Sequence, residues 1–234
     1  MTTQEETISP QAFLRFALGT LIIPAFVLFV AAGQVDWALG WAYITLLWLA
    51  GVISRLIVWR VNPSLLVERS SFGKGKNVEP WDRIMSLLIG LVGPLAMLIV
   101  AGLDHRFGWS PNPTLAVMGA AWLVIAIGYT LATWAMIENR FFSGYVRIQD
   151  DRGHVVIDSG PYAFVRHPGY ASVVFAYLAT PFALGTLWVL IPVLLWLVAI
   201  VVRTALEDQT LQTKLPGYAE YAQRVRYRLF PGIW

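Results

Sequence analysis

The sequence predicts an all-α membrane protein, and three observations carry that prediction. Of its 234 residues, 57% are hydrophobic and only 13% are charged, against about 25% charged in a typical soluble domain. The apolar residues fall into long blocks, on the scale of the ~20 residues a helix needs to cross a bilayer. Lys and Arg gather between alternate blocks, as expected of a chain threaded back and forth through a membrane.

Six apolar segments are expected, over residues 12–32, 38–59, 84–103, 115–137, 170–183 and 187–202. The first four are long enough to cross. The last two are short and separated only by Leu184-Gly185-Thr186, which predicts a tight helical hairpin. No ionisable residue lies near the middle of a segment, which argues against a transport path.

Arg55, Arg60, Arg69, Lys74, Lys76 and Arg83 fall between the second and third segments. Arg140, Arg147, Arg152 and Arg166 fall between the fourth and fifth, and Arg203, Lys214, Arg224, Arg226 and Arg228 follow the sixth. Only Arg106 lies on the other side. By the positive-inside rule both termini and both long loops are expected to be cytosolic, with the protein in the cell inner membrane. Glu5 and Glu6 precede the first segment and no small-residue cleavage site follows it, so that segment reads as a retained helix. The net charge of +3 then reflects a surface facing anionic lipid rather than nucleic acid.

The chain has no cysteine, which excludes thiolate chemistry and disulfides, and His105, His154 and His167 lack metal-ligand spacing. No metal is expected. One domain is expected, with a four-helix part over residues 1–138 and a second part over residues 139–234. Asn62-Pro63 and Gly73-Lys74-Gly75-Lys76 are turn signals, and Leu65, Leu66 and Val67 among charges suggest a short interfacial segment.

The longest polar stretch is residues 139–168. Val146-Arg147-Ile148-Gln149 and His154-Val155-Val156-Ile157 flank a turn that ends in Gly153, the pattern of a small β-hairpin. Arg166-His167-Pro168 then meets a helix whose first turn the proline suits. Free backbone N–H groups there favour a carboxylate or phosphate. Read singly, Arg166 is an interface anchor and His167 a cap. Arg203 and Glu207 stand four apart on one helix face, a pairing worth only a few tenths of a kcal/mol. Arg203, however, lies at or just inside the interface, where ionisable groups are costly and often functional. Leu215-Pro216-Gly217 ends this helix, and Tyr218, Tyr221 and Val225 share a face of the short segment after it. The tight hairpin brings both polar clusters together, which predicts a pocket at the cytosolic face.

Gly160-Pro161-Tyr162, Val165-Arg166-His167-Pro168 and Tyr170, followed after the hairpin by Arg203, Glu207-Asp208, Leu211, Gly217-Tyr218, Tyr221 and Pro231, resemble the isoprenylcysteine carboxyl methyltransferase family. That family belongs with the membrane phospholipid methyltransferases. A weaker echo runs through Asn62-Pro63, Leu66, Glu68-Arg69 and Trp81-Asp82. The sequence departs from the best-known members in having six segments rather than eight, and Asp208 where Glu is usual.

The resemblance implies S-adenosylmethionine as methyl donor, with a cofactor pocket built from Tyr162, Val165, Arg166, His167, Pro168, Tyr170, Glu207, Asp208, Tyr218 and Tyr221. It implies a lipophilic or prenylated acceptor drawn from membrane lipid, most simply a carboxylate. Arg203 or Arg166 would orient that carboxylate, and Glu207 would serve as base for an amine or phenol. Thiol and phospholipid-amine acceptors fit the same architecture. Two other readings stand beside it. Membrane sterol reductases carry a similar Arg-His-Pro turn, and Arg224, Arg226 and Arg228 would suit the 2′-phosphate of NADPH. A non-enzymatic scaffold would leave Arg166 and Arg203 without a function.

Overall fold

A computed structural model describes residues 9–70 and 77–234. Glu5, Glu6 and the Gly73-Lys74-Gly75-Lys76 turn lie outside the described residues. Helix α1 (Pro10–Ala32) starts where Ser9 caps the backbone N–H of Ala12 at 3.2 Å, with Pro10 in the first turn. It stops at Gly33, whose φ of 68° places it in the left-handed region that glycine tolerates best. Helix α2 (Ala38–Val61) follows, then α3 (Pro63–Ser70). Leu65 and Leu66 of α3 are buried against Val58, Met136, Ile137 and Phe142, so the expected interfacial segment is packed onto the bundle.

The third span, Asp82–Phe107, is made of α4 (Asp82–Leu87), a π-helical turn (Leu88–Val92) and α5 (Gly93–Phe107). Pro94 has no N–H to continue the ladder. Gly93 donates to Leu88 instead, and the carbonyl of Ile89 is taken by the Trp196 indole N–H at 3.0 Å. Helix α6 (Leu115–Glu138) begins at Thr114, which caps Val117.

Helix α7 (Pro168–Leu184) packs closely on α6 through small residues. A Cβ on Gly128 would lie 2.7 Å from the Ser172 carbonyl. Helix α8 (Leu190–Lys214) and the short α9 (Tyr218–Arg224) complete the chain. One continuous apolar core runs from Leu28 through Ile125 and Ile200 to Leu229.

Five helices are long and apolar enough to cross a membrane: Pro10–Ala32, Ala38–Val61, Asp82–Phe107, Leu115–Glu138 and Leu187–Lys214. The chain is an integral membrane protein. Six crossing segments were expected, and α7 is the one that falls short, with 17 residues. At 1.5 Å per residue it reaches roughly 26 Å, just under the ~30 Å hydrocarbon core. The α7–α8 turn is tied at its far end by Asp104. Its carboxylate takes the Ser110 N–H at 2.9 Å and the Trp188 N–H at 3.1 Å, while Ser110 Oγ takes the Leu187 N–H at 2.8 Å. The last helix is longer than its apolar run suggests. It continues to Lys214 because Arg203, Thr204, Asp208 and Thr210 are buried on its inner face.

The β-hairpin expected over residues 146–157 does not form, and no strand occurs among the described residues. Its backbone groups are engaged elsewhere. The Val146 N–H donates to Asp82 at 2.6 Å and its carbonyl accepts from Glu79 at 3.0 Å. The Gln149 N–H donates to His154 Nδ1 at 3.3 Å, across a 3-10 turn at Asp150–Arg152. A two-stranded ribbon has little stability alone, and here the segment is pinned residue by residue to the helical bundle.

Candidate functional site

At the polar end of the bundle three buried arginines each grip a carboxylate. Arg147 holds Glu68 at 2.9 Å and Asp151 at 2.8 Å. These bonds hold Glu68 below its usual carboxylate range, the Arg147 hydrogen bond contributing most. Arg203 holds Asp82 through Nε at 2.7 Å and Nη2 at 3.1 Å, and its Nη2 also donates to Ser86 and to the Gly144 carbonyl. Arg166 holds Asp208 through Nε at 2.7 Å and Nη2 at 3.0 Å.

Asp208 is fully buried and its two oxygens are saturated. Besides Arg166 they accept from Tyr218 Oη at 3.1 Å, Gln212 at 2.8 Å and Arg228 at 2.9 Å, with His167 Nε2 at 3.4 Å. The third nitrogen of Arg166 donates to the carbonyls of Val225 and Arg226 at 2.8 and 2.9 Å. The backbone N–H groups of Arg166 and His167 donate to Tyr227 and Arg228, both at 2.9 Å. The Arg-His-Pro turn is therefore stitched to the C-terminal tail. Of the first-turn donors expected to be free, those of Gly169 and Tyr170 remain without a described acceptor.

Glu207 and Asp208 are neighbours on a helix, so their side chains diverge by about 100°. Asp208 points into the tail, whereas Glu207 faces a cavity of about 500 Å³. Tyr170 Oη donates to Glu207 Oε2 at 2.7 Å, and Oε1 accepts from no described residue. Arg203 does not pair with Glu207, although the four-residue spacing allowed it. Its guanidinium lies 5.5 Å from the Tyr170 ring, and Nη1 has no described partner. Tyr162, Arg166, His167, Tyr170, Arg203 and Glu207 all line this one cavity, with Tyr218 and Tyr221. Asp208, Val165 and Pro168 are buried but do not line it.

The two tyrosines of α9 stand at 71° with centroids 5.3 Å apart. The Tyr218 hydroxyl is spent on Asp208, and the Tyr221 hydroxyl on the Tyr162 carbonyl at 2.8 Å. Burial, then the Asp208 charge, push the Tyr218 phenol well above its usual range, so it stays a hydrogen-bond donor. Their rings remain to offer apolar surface.

The model of the isoprenylcysteine carboxyl methyltransferase (ICMT) family matches residues 115–213. Over that segment, which is under half of the 234 residues, the chain is similar to this family of membrane methyltransferases. No curated protein compared with the chain matches it. The ICMT segment covers α6, the polar loop, α7 and most of α8, and so carries Arg166, His167, Tyr170, Arg203, Glu207 and Asp208. Tyr218 and Tyr221 lie just beyond it.

Sequence reasoning missed Asp82, Ser86, Gln212 and Arg228 as partners of this site. Asp82 stands 121 residues from Arg203, and only the Trp81-Asp82 echo hinted at it. Arg224 and Arg228, which a 2′-phosphate would need, are bound to Asp158 and Asp208. Among the described residues no group of three or more His, Asp or Glu side chains is placed to hold a metal.

Proposed function

We propose that this protein is an S-adenosylmethionine-dependent methyltransferase acting on a lipophilic carboxylate, with its cavity and both termini on the cytosolic side of the cell inner membrane. The observation that carries the reading is the pairing of one open carboxylate oxygen, on Glu207, with one open guanidinium nitrogen, on Arg203, in a single cavity.

The chain's own residues fit a zwitterionic donor. Glu207 Oε1 is available to an ammonium or ribose hydroxyl, and the Gly169 and Tyr170 N–H groups at the head of α7 to a carboxylate. The rings of Tyr218 and Tyr221 offer a surface for a flat base. When bound, the donor supplies an electrophilic methyl group on a sulfonium. Transfer of that methyl to a carboxylate oxygen, with loss of the carbon–sulfur bond, would give a neutral ester and a neutral thioether. No proton moves, so the protein contributes positioning and exclusion of water rather than acid–base catalysis. Arg203 is fixed by Asp82, Ser86 and Gly144, and presents Nη1 to orient the acceptor. Arg166 acts as a positioning residue, since it is fully engaged by Asp208 and the tail.

Calorimetric titration of the detergent-solubilised protein with S-adenosylmethionine tests the reading. Binding by the native chain, weakened in Glu207→Ala, is the expected result. No heat of binding to the native chain would reject it. Mass spectrometry of membranes supplied with labelled donor then identifies the acceptor.

A further inference from the structure

We propose that Arg55 and Arg69 form an oxyanion-binding subsite that holds the charged head of a lipophilic acceptor, a carboxylate or phosphate monoester on an apolar chain. The word acceptor rests on the methyltransferase reading, whereas the anion site itself does not.

Both side chains line the same cavity as Arg203 and Glu207, yet they differ from the other arginines there. Arg147, Arg166 and Arg203 each hold a carboxylate. Arg55 and Arg69 hold none. Arg55, in the last third of α2, lies with its guanidinium 4.1 Å from the Phe16 ring centre. Its Nε is buried and makes no hydrogen bond. The hydroxyl of the neighbouring Ser54, a buried residue on the same cavity wall, is likewise without a partner. Arg69 makes one long bond, 3.3 Å to the Phe142 carbonyl. The adjacent Glu68 is committed to Arg147.

Uncompensated cations near hydrocarbon are costly and mark ligand paths. Burial, then the charge of Arg55, holds Arg69 below its usual range, and neither guanidinium has an ion pair among the described residues. An oxyanion placed there would satisfy both, with the Ser54 hydroxyl as a further donor. The surrounding wall is apolar and partly small: Phe16, Ala50, Gly51, Val58, Ile89 and Gly90. A Cβ on Gly90 would meet nothing within 4 Å. That combination suits an anion carried on a hydrocarbon chain better than a small soluble anion.

The test measures binding of labelled oleate to the protein in phosphatidylcholine nanodiscs, with empty nanodiscs subtracted. Methyl oleate, oleyl phosphate, sodium acetate and inorganic phosphate serve as competitors. Oleate and oleyl phosphate are expected to bind at least tenfold more tightly than methyl oleate. Arg55→Gln and Arg69→Gln should each weaken oleate about tenfold, the scale of one charge-assisted hydrogen bond. Arg55→Lys should recover part of the loss. Thermal stability of Arg55→Gln should hold or rise, since the change removes an unpaired buried charge. Equal affinity for oleate and its ester, or full affinity in both glutamine variants, would overturn the subsite. Displacement by acetate or inorganic phosphate at oleate-like affinity would overturn its assignment to a lipid-borne group. A parallel titration with S-adenosylmethionine separates the two readings: failure there removes the methyltransferase and leaves the anion result to stand on its own.

Discussion

Arg203 near the polar end of α8 grips Asp82 at the head of the third span, at 2.7 and 3.1 Å, with both side chains buried. The same carboxylate takes the Val146 N–H and the Ser86 hydroxyl. One acidic residue thus joins the third span, the polar loop and the last helix around the cavity, and fixes which nitrogen of Arg203 is left to face it.

Removing Asp82 strands a buried guanidinium. Asp82→Ala is expected to cost about 3–5 kcal/mol, the usual consequence of breaking a buried pair. Arg203→Ala should cost a similar amount, and the double variant clearly less than the sum. Thermal or denaturant unfolding in detergent measures all three. Additive losses would show that the pair does not act as a unit.

Glu207 and Tyr170 separate binding from framework. Tyr170 holds Oε2 and leaves Oε1 to the cavity. Glu207→Gln is therefore expected to weaken S-adenosylmethionine at least tenfold in calorimetry, because the carboxylate charge is lost. Tyr170→Phe should weaken it less, since it only loosens the carboxylate. Undiminished affinity in Glu207→Gln would place the donor away from this residue.

The helical membrane class and four of the spans were legible because apolar runs of 20 or more residues have few other uses. The Arg-His-Pro turn and the Glu207-Asp208 pair were legible as a motif. Their division of labour was not. Arg203 and Glu207 look like partners at four-residue spacing, but Asp82 outcompetes Glu207 for the guanidinium, and a partner 121 residues away leaves no local signal. The loop over 146–157 misled for a related reason. Its alternating pattern favours strand, while the donors it needed for a ladder were satisfied by Asp82 and His154. The length of α8 escaped because helix there is held by buried polar contacts rather than by hydropathy.

The close approach of α6 and α7 makes a packing prediction. Gly128 faces the Ser172 carbonyl and the Ala176 side chain, leaving no room for a Cβ at 2.7 and 3.1 Å. Gly128→Val must push the helices apart at backbone, which cannot yield as a flexible side chain can. A loss of about 1–3 kcal/mol in unfolding experiments is expected. Gly119→Val on the same helix, where a Cβ meets nothing, should be close to neutral.

His154 sets an acid limit on the polar loop. Its ring lies against Phe141 at 4.5 Å, and Nδ1 accepts the Gln149 N–H at 3.3 Å. Burial, reinforced by the charge of Arg147, pushes the imidazole from its usual 6.5 to about 4. Between those two values the unfolded chain takes up a proton that the folded chain refuses. The stabilisation is therefore complete above pH 6.5 and is lost as the pH falls toward 4. Protonation would also remove the lone pair that receives Gln149, so the loop should loosen where it closes over the cavity. Unfolding midpoints measured from pH 7.5 to 4.5 are expected to fall less steeply in His154→Gln than in the native chain. Nitrogen NMR of the imidazole gives the direct reading. The ring should remain neutral at pH 5.5 with its proton on Nε2, and a titration centred near 6.5 would show that this loop does not shield it.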